Sequence, residues 1–218
     1  MTAITHPNRP IDSSQTPVVA VNRRTIDRVL VGLGAVVAVV LVAAGGLLTW
    51  GANFSDDYVH DELSSQNIAF PPAAALTEDG RTDLLRFAGA TVDTGAEAEA
   101  YASYINGHLE AIADGQTYAD LGASERAATA ALATAQADGS TPAEVAALKA
   151  ESDSITGQRN TLFKGETLRG LLLSAFAWST VGRIAGIAAM VAFAAAAAMV
   201  VLVALGARHH HKVVASER

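Results

Sequence analysis

Four carboxylates and a histidine crowd into one run, Asp56-Asp57-Tyr58-Val59-His60-Asp61-Glu62. Asp56 and His60 are four residues apart, so on a helix they share a face and could hold a divalent cation between a carboxylate and an imidazole. Two ligands do not complete a site. A 2-His-1-carboxylate centre would have to draw in His108, the only other histidine between the two long apolar runs of the chain. The metal candidates are therefore Asp56, His60 and His108. The competing reading is a solvated acidic face, because an acidic domain scatters such clusters by chance. That reading is taken here, and no metal or cofactor is assigned.

A second cluster, His209-His210-His211 between Arg208 and Lys212, could also bind metal. It reads more simply as a cationic patch flanking a membrane segment, where each cation attracts anionic lipid. No phosphate loop, nucleotide fingerprint or nucleophile elbow is present: Gly95, Gly107 and Gly115 lack both the spacing and a preceding strand. The absence of cysteine excludes disulfides, thiolate metal sites and thiol catalysis. No catalytic residue is assigned.

The elements that would position these residues are set by two apolar blocks. Half of the 218 residues are hydrophobic, yet only 6% are aromatic, which is not the composition of an ordinary soluble domain. Val29 to Trp50 holds twenty-two uncharged residues and Ile184 to Gly206 twenty-three. As helices these reach roughly 33–35 Å, enough to cross the hydrocarbon of a bilayer. Trp50, Trp178, Arg183, Arg208 and Lys212 are of the types that settle at the interface and anchor the ends. A cleaved signal peptide competes for the first block, since Ala43-Ala44-Gly45 offers small residues to a peptidase. The run is longer than an ordinary signal core and begins late, so a retained anchor is expected.

Arg23, Arg24 and Arg28 precede the first span and no Lys or Arg follows it until Arg81. The positive-inside rule then puts both termini in the cytoplasm, with Arg208 and Lys212 in agreement and Arg169 and Arg183 in mild dissent. The expected organisation is a disordered cytoplasmic tail over 1–24, a transmembrane helix over 29–50, an acidic helical extracytoplasmic domain over 51–169, a second span over 184–206 and a basic cytoplasmic tail over 207–218. The fold class is an all-α membrane protein of the plasma (inner) membrane. The net charge of −7 is concentrated in the middle, where residues 51–169 hold nineteen acids against seven Lys or Arg. Such a field disfavours nucleic acid.

Within the middle segment, Val59 and Leu63 share a face and prolong the first helix outward until Pro71-Pro72 ends it. An irregular stretch is expected to about Gly95. Tyr101, Ile105, Leu109 and Ile112 then predict a helix over Ala96–Ala113, with Thr94 as N-cap and Asp114-Gly115 as its stop. Ser124 is expected to cap an alanine-rich helix to about Asp138. Gly139-Ser140 turns the chain, and Thr141-Pro142-Ala143-Glu144 is a capping box. In the second arm Val145, Leu148, Ser152, Ile155, Arg159 and Leu162 form an imperfect heptad seam. Gly157, Gly165 and Gly170 are points where this helix could bend or break. Only twenty-four of residues 51–167 are large and apolar, a thin supply for a core.

Gly182-Arg183-Ile184-Ala185-Gly186 is a G-x-x-x-G, continued by Ala189, and the first span offers Gly34 and Ala38. Small residues let helices approach closely where lipid supplies no hydrophobic drive, so these five small residues, Gly34, Ala38, Gly182, Gly186 and Ala189, are the candidate helix-packing positions.

The chain resembles a family of actinobacterial two-span membrane proteins of unassigned function. The resemblance is carried by Val59-His60-Asp61-Glu62-Leu63 with Gln66, Ile68-Ala69-Phe70-Pro71, Val92-Asp93-Thr94-Gly95, Ala100-Tyr101-Ala102, Gly115-Gln116-Thr117-Tyr118-Ala119 and, most specifically, Phe163-Lys164-Gly165-Glu166-Thr167-Leu168-Arg169-Gly170-Leu171-Leu172-Leu173. It covers most of residues 50–206 and implies a bacterial inner-membrane protein. Proteins similar to this one often carry the label of an aromatic ring-opening dioxygenase small subunit. Such enzymes are soluble, however, and this chain offers no iron ligand set. The expected role is a non-catalytic accessory, scaffold or assembly subunit, with the bilayer, other membrane proteins and a further copy of itself as partners. A ligand- or metal-binding module and a dioxygenase-like enzyme are the alternatives.

Overall fold

The computed structural model describes residues 23–216, with side chains from Thr25 to Arg208. Of the disordered tail expected over 1–24, residues 1–22 lie outside the described residues, whereas Arg23 and Arg24 are part of the first helix; the side chains of Arg23, Arg24, His209, His210, His211 and Lys212 also lie outside them. The architecture is helical: α1 (Arg23–Ser64), α2 (Ala73–Glu78), a 3₁₀ turn (Thr82–Phe87), α3 (Gly95–Ile112), α4 (Tyr118–Ala137) and α5 (Pro142–Ser216). Among the described residues the only extended pairing is one antiparallel bridge between Ala69 and Thr91. The segments Thr25–Ser64 and Pro142–Arg208 are long and apolar enough to cross a membrane.

The helix starts follow local chemistry. Thr94 accepts from the Glu97 amide while the Glu97 carboxylate accepts from the Thr94 amide, a reciprocal cap that satisfies two otherwise orphaned donors. Thr141 and Glu144 do the same at the start of α5. The start of α4 departs from expectation: Thr117 and Asp120 form its capping box, so the helix begins at Tyr118 and Ser124 sits inside it. Asp120 supplies the returning acid at the third helical position, which completes a box that Ser124 alone cannot match. Asp114 and Gly115 both adopt positive φ, 52° and 76°, and stop α3.

Two further expectations are corrected. The stretch before Gly95 is not irregular throughout, since it holds α2 and the 3₁₀ turn. It is tied down by the Val92 amide donating to the Ile68 carbonyl at 2.8 Å and by Phe70, which stacks on Phe87 and meets Tyr101 edge-on, both at 5.2 Å. Nor does α5 break at its glycines. At Gly165 a Cβ would overlap the Leu109 side chain, so the missing side chain admits α3 rather than loosening α5.

The contacts divide the chain into two units. One comprises α1 up to Ala43 with α5 from Ala192; the other runs from Ala44 to Val191. In the first, Gly34 lies under Val203 and Met199 and Gly206 under Val31, so the helices run antiparallel, with Ala38 and Ala196 buried. In the second, the main core joins Val59 and Leu63 of α1, Phe70, Leu76, Leu84 and Val92 of the connecting stretch, Ala98 and Ala102 of α3, and Leu172 of α5. A smaller cluster of Leu109, Ala113, Leu121 and Leu162 binds α3, α4 and α5 together.

Candidate functional site

The second unit places three arrangements of polar or small residues that bear on function. The first is the crossing of α1 and α5. Gly182 is buried, and a Cβ there would stand 2.9 Å from Ser55 Cβ and 3.3 Å from the Ala52 carbonyl oxygen. The Ser55 hydroxyl, itself buried, donates across to the Trp178 carbonyl at 2.6 Å. Gly186 faces Ala52 at 3.7 Å, and Ala189 is buried. The expected packing residues Gly182, Gly186 and Ala189 thus lie on one seam of this unit, and Gly34 and Ala38 lie on the seam of the other. Sequence reasoning missed Gly45, Ala52, Ser55 and Ala196. The signal for most of them was a period of seven: Ala38, Gly45 and Ala52 on α1, and Gly182, Ala189 and Ala196 on α5. That spacing repeats small residues along one side of each helix.

The second arrangement is a cleft of about 300 Å³ beside this crossing. Its α1 wall runs from Tyr58 and Val59 to Glu62 and Leu63, with Gln66 in the turn that follows, and its α5 wall from Trp178 through Leu171 to Leu168. Each wall repeats at three or four residues, so each is one face of its helix. Trp50, Phe54 and Tyr58 form a stacked ladder along α1, with ring centroids 5.7 and 6.2 Å apart, and all three are exposed. Of the interface anchors, Trp50, Trp178, Arg183 and Arg208 are exposed.

The third is a set of polar and ion pairs on the helices between the two apolar runs. The Tyr104 hydroxyl donates to Asp79 at 2.9 Å, and His108 Nε2 lies 3.8 Å from the same carboxylate oxygen and edge-on to the Tyr104 ring. Burial, then the Asp79 hydrogen bond and charge, push the Tyr104 phenol up to about 12. Asp56 and His60 are exposed on α1, and among the described residues no three His, Cys, Asp or Glu side chains come together in a metal-holding group. Asp79, absent from the sequence candidates, is what His108 meets.

Between α4 and α5, Arg159 pairs with Glu125 at 2.5 Å, Thr156 donates to the same carboxylate at 2.9 Å, and the guanidinium lies 4.2 Å above the Tyr118 ring. The guanidinium also passes over Gly122, where a Cβ would meet it at 3.5 Å, an ordinary contact. The heptad seam Ser152, Ile155, Arg159, Leu162 is therefore the face that α5 turns toward α4 and α3. The Thr156 hydroxyl and then the Arg159 guanidinium hold the Glu125 carboxyl below its ordinary value. The folded pKa is thus depressed, so the pair's contribution is full above the unfolded carboxylate range and is lost as pH falls through the lowered value. Melting followed by circular dichroism should show a fall in stability below about pH 4.5, the ordinary carboxylate range, that is shallower in Glu125→Gln. An unchanged slope in that variant would contradict the assignment.

Compared with known proteins, the chain matches no family model, no curated protein and no solved structure.

Proposed function

We propose that this chain is a two-span integral membrane protein, with both termini in the cytoplasm, whose acidic helical segment between the spans acts outside as a non-catalytic accessory or scaffold subunit of a larger membrane complex. The observation that carries the reading is where the large apolar side chains point. Val39, Leu47 and Met190 are 69%, 71% and 66% exposed, while the buried positions within the two apolar runs are Ala38, Gly45, Ala189 and Ala196. A core helix of a soluble protein has the opposite pattern, burying its large side chains at about 25 cal/mol per Å². Lipid is the solvent in which this inside-out distribution is favourable, and close approach of small residues is how helices associate there.

The accessory role is supported by the thin apolar supply of the outer segment and by the exposed ladder Trp50, Phe54 and Tyr58, a surface of the kind that partners cover. Purification from the native membrane in mild detergent should bring down at least one further membrane protein in constant ratio. A lone monomer, with a photo-crosslinker at Phe54 finding no neighbour, would overturn the accessory role.

A further inference from the structure

We infer that the cleft between the outward end of α1 and the Leu168–Trp178 stretch of α5 holds one acyl chain of a bilayer lipid, an inference that rests on reading the two long helices as membrane spans. Continuity points to this occupant. On α1 the ladder of Trp50, Phe54 and Tyr58 leads from the apolar run directly to the cleft, where Tyr58 is part of the wall. On α5 Trp178 and Leu171, 50% and 66% exposed, lead in from the other side. Both rails begin where the apolar runs meet the outer segment, so a chain can enter without its methylenes crossing water. The size fits as well: about 300 Å³ is at the small end of ligand sites, room for a chain segment and not for a whole lipid. The lining contains no Lys or Arg and one carboxylate, Glu62, so it offers a phosphate no cation and one repelling charge; the headgroup stays at the mouth and the apolar positions of the two walls, Val59, Leu63, Leu168 and Leu172 among them, take the chain.

The test uses the cysteine-free full chain, reconstituted into vesicles of phosphatidylethanolamine and phosphatidylglycerol, with single cysteines carrying a benzophenone. Gln66→Cys reports from the far end of the cleft, Thr167→Cys from an exposed position that does not line it, and Leu47→Cys from an outward face of the apolar run. After irradiation, mass spectrometry should find lipid adducts at Leu47→Cys and Gln66→Cys and none at Thr167→Cys. Adding Ser174→Trp, which fills the cleft, should lower the Gln66→Cys adduct about tenfold, the effect of losing room for roughly two methylenes. Ala175→Phe repeats the test in a second background should Ser174→Trp fail to fold. Adduct at Leu47→Cys with none at Gln66→Cys overturns the cleft assignment alone, as does a yield at Gln66→Cys that matches Thr167→Cys or ignores both filling variants. A polypeptide adduct at Gln66→Cys gives the cleft to a protein partner and overturns it too. No lipid adduct even at Leu47→Cys removes the membrane reading and this inference with it.

Discussion

Gly182→Leu is expected to separate α1 from α5 and to lower stability more than any other single substitution at the glycines of α5 near this crossing. Even the first carbon of a side chain at this position would sit 2.9 Å from Ser55 Cβ and 3.3 Å from the Ala52 carbonyl, and a backbone oxygen cannot swing aside. The helices must move apart, at about 1–3 kcal/mol for overpacking. The hydrogen bond from Ser55 to the Trp178 carbonyl is then stretched or broken, adding roughly 1 kcal/mol. Gly157 supplies the control. A Cβ there meets nothing within 4 Å, so Gly157→Ala should stabilise by about 0.5–1 kcal/mol through helix propensity alone. Melting temperatures in mild detergent should therefore move in opposite directions for the two variants. Equal shifts would mean that the crossing at Gly182 is not the close contact described.

Leu172→Ala is expected to uncouple the outer segment from α5. Leu172 is 2% exposed and is the residue that α5 contributes to the core formed by Val59, Leu63, Phe70, Leu76 and Val92. Truncation of a buried leucine costs about 2–5 kcal/mol, the range reflecting how far the cavity collapses. With so few large apolar residues in the segment, the neighbours have little to fill it with. Leu171, one residue away and 66% exposed, should tolerate alanine within about 0.5 kcal/mol. Amide hydrogen exchange across residues 73–112 is the informative readout, because it follows the outer segment separately from the apolar runs. Fast exchange there in Leu172→Ala and native exchange in Leu171→Ala is the expected pair of results. Indistinguishable variants would show that the core does not depend on α5.

Much of this architecture was legible because its determinants are local. The capping box at Thr94, the one at Thr141 and the turn at Asp114-Gly115 involve residues at most three apart, and each could be read from side-chain chemistry alone. The start of α4 is equally local, but two hydroxyls, Thr117 and Ser124, compete for the cap, and Asp120, three residues after Thr117, is what decides between them. The connecting stretch was opaque for a different reason. Phe70, Leu76, Leu84 and Val92 form no continuous periodic run, since they come from α2, the 3₁₀ turn and the segments beside the Ala69–Thr91 bridge, and tertiary packing orders them. The same limit applies to the polar groups. His108 was visible as an ionisable residue, but its partner Asp79 comes from the end of another helix, and no spacing rule joins them. The Glu125–Arg159 pair spans thirty-four residues and was hidden likewise, although Arg159 is the one charge in a seam whose other members are Ser152 and apolar residues.

The central claim is that α1 and α5 cross a membrane with the segment between them outside, and cysteine accessibility tests it most directly in a chain with no native cysteine. Ser154→Cys lies on the exposed face of α5 in the outer segment, and Ser14→Cys and Ser216→Cys report from the two ends of the chain. An impermeant thiol reagent applied to intact cells should label Ser154→Cys and spare the other two, which should react only after the membrane is permeabilised. Labelling of Ser14→Cys or Ser216→Cys in intact cells, with Ser154→Cys protected, would contradict the account.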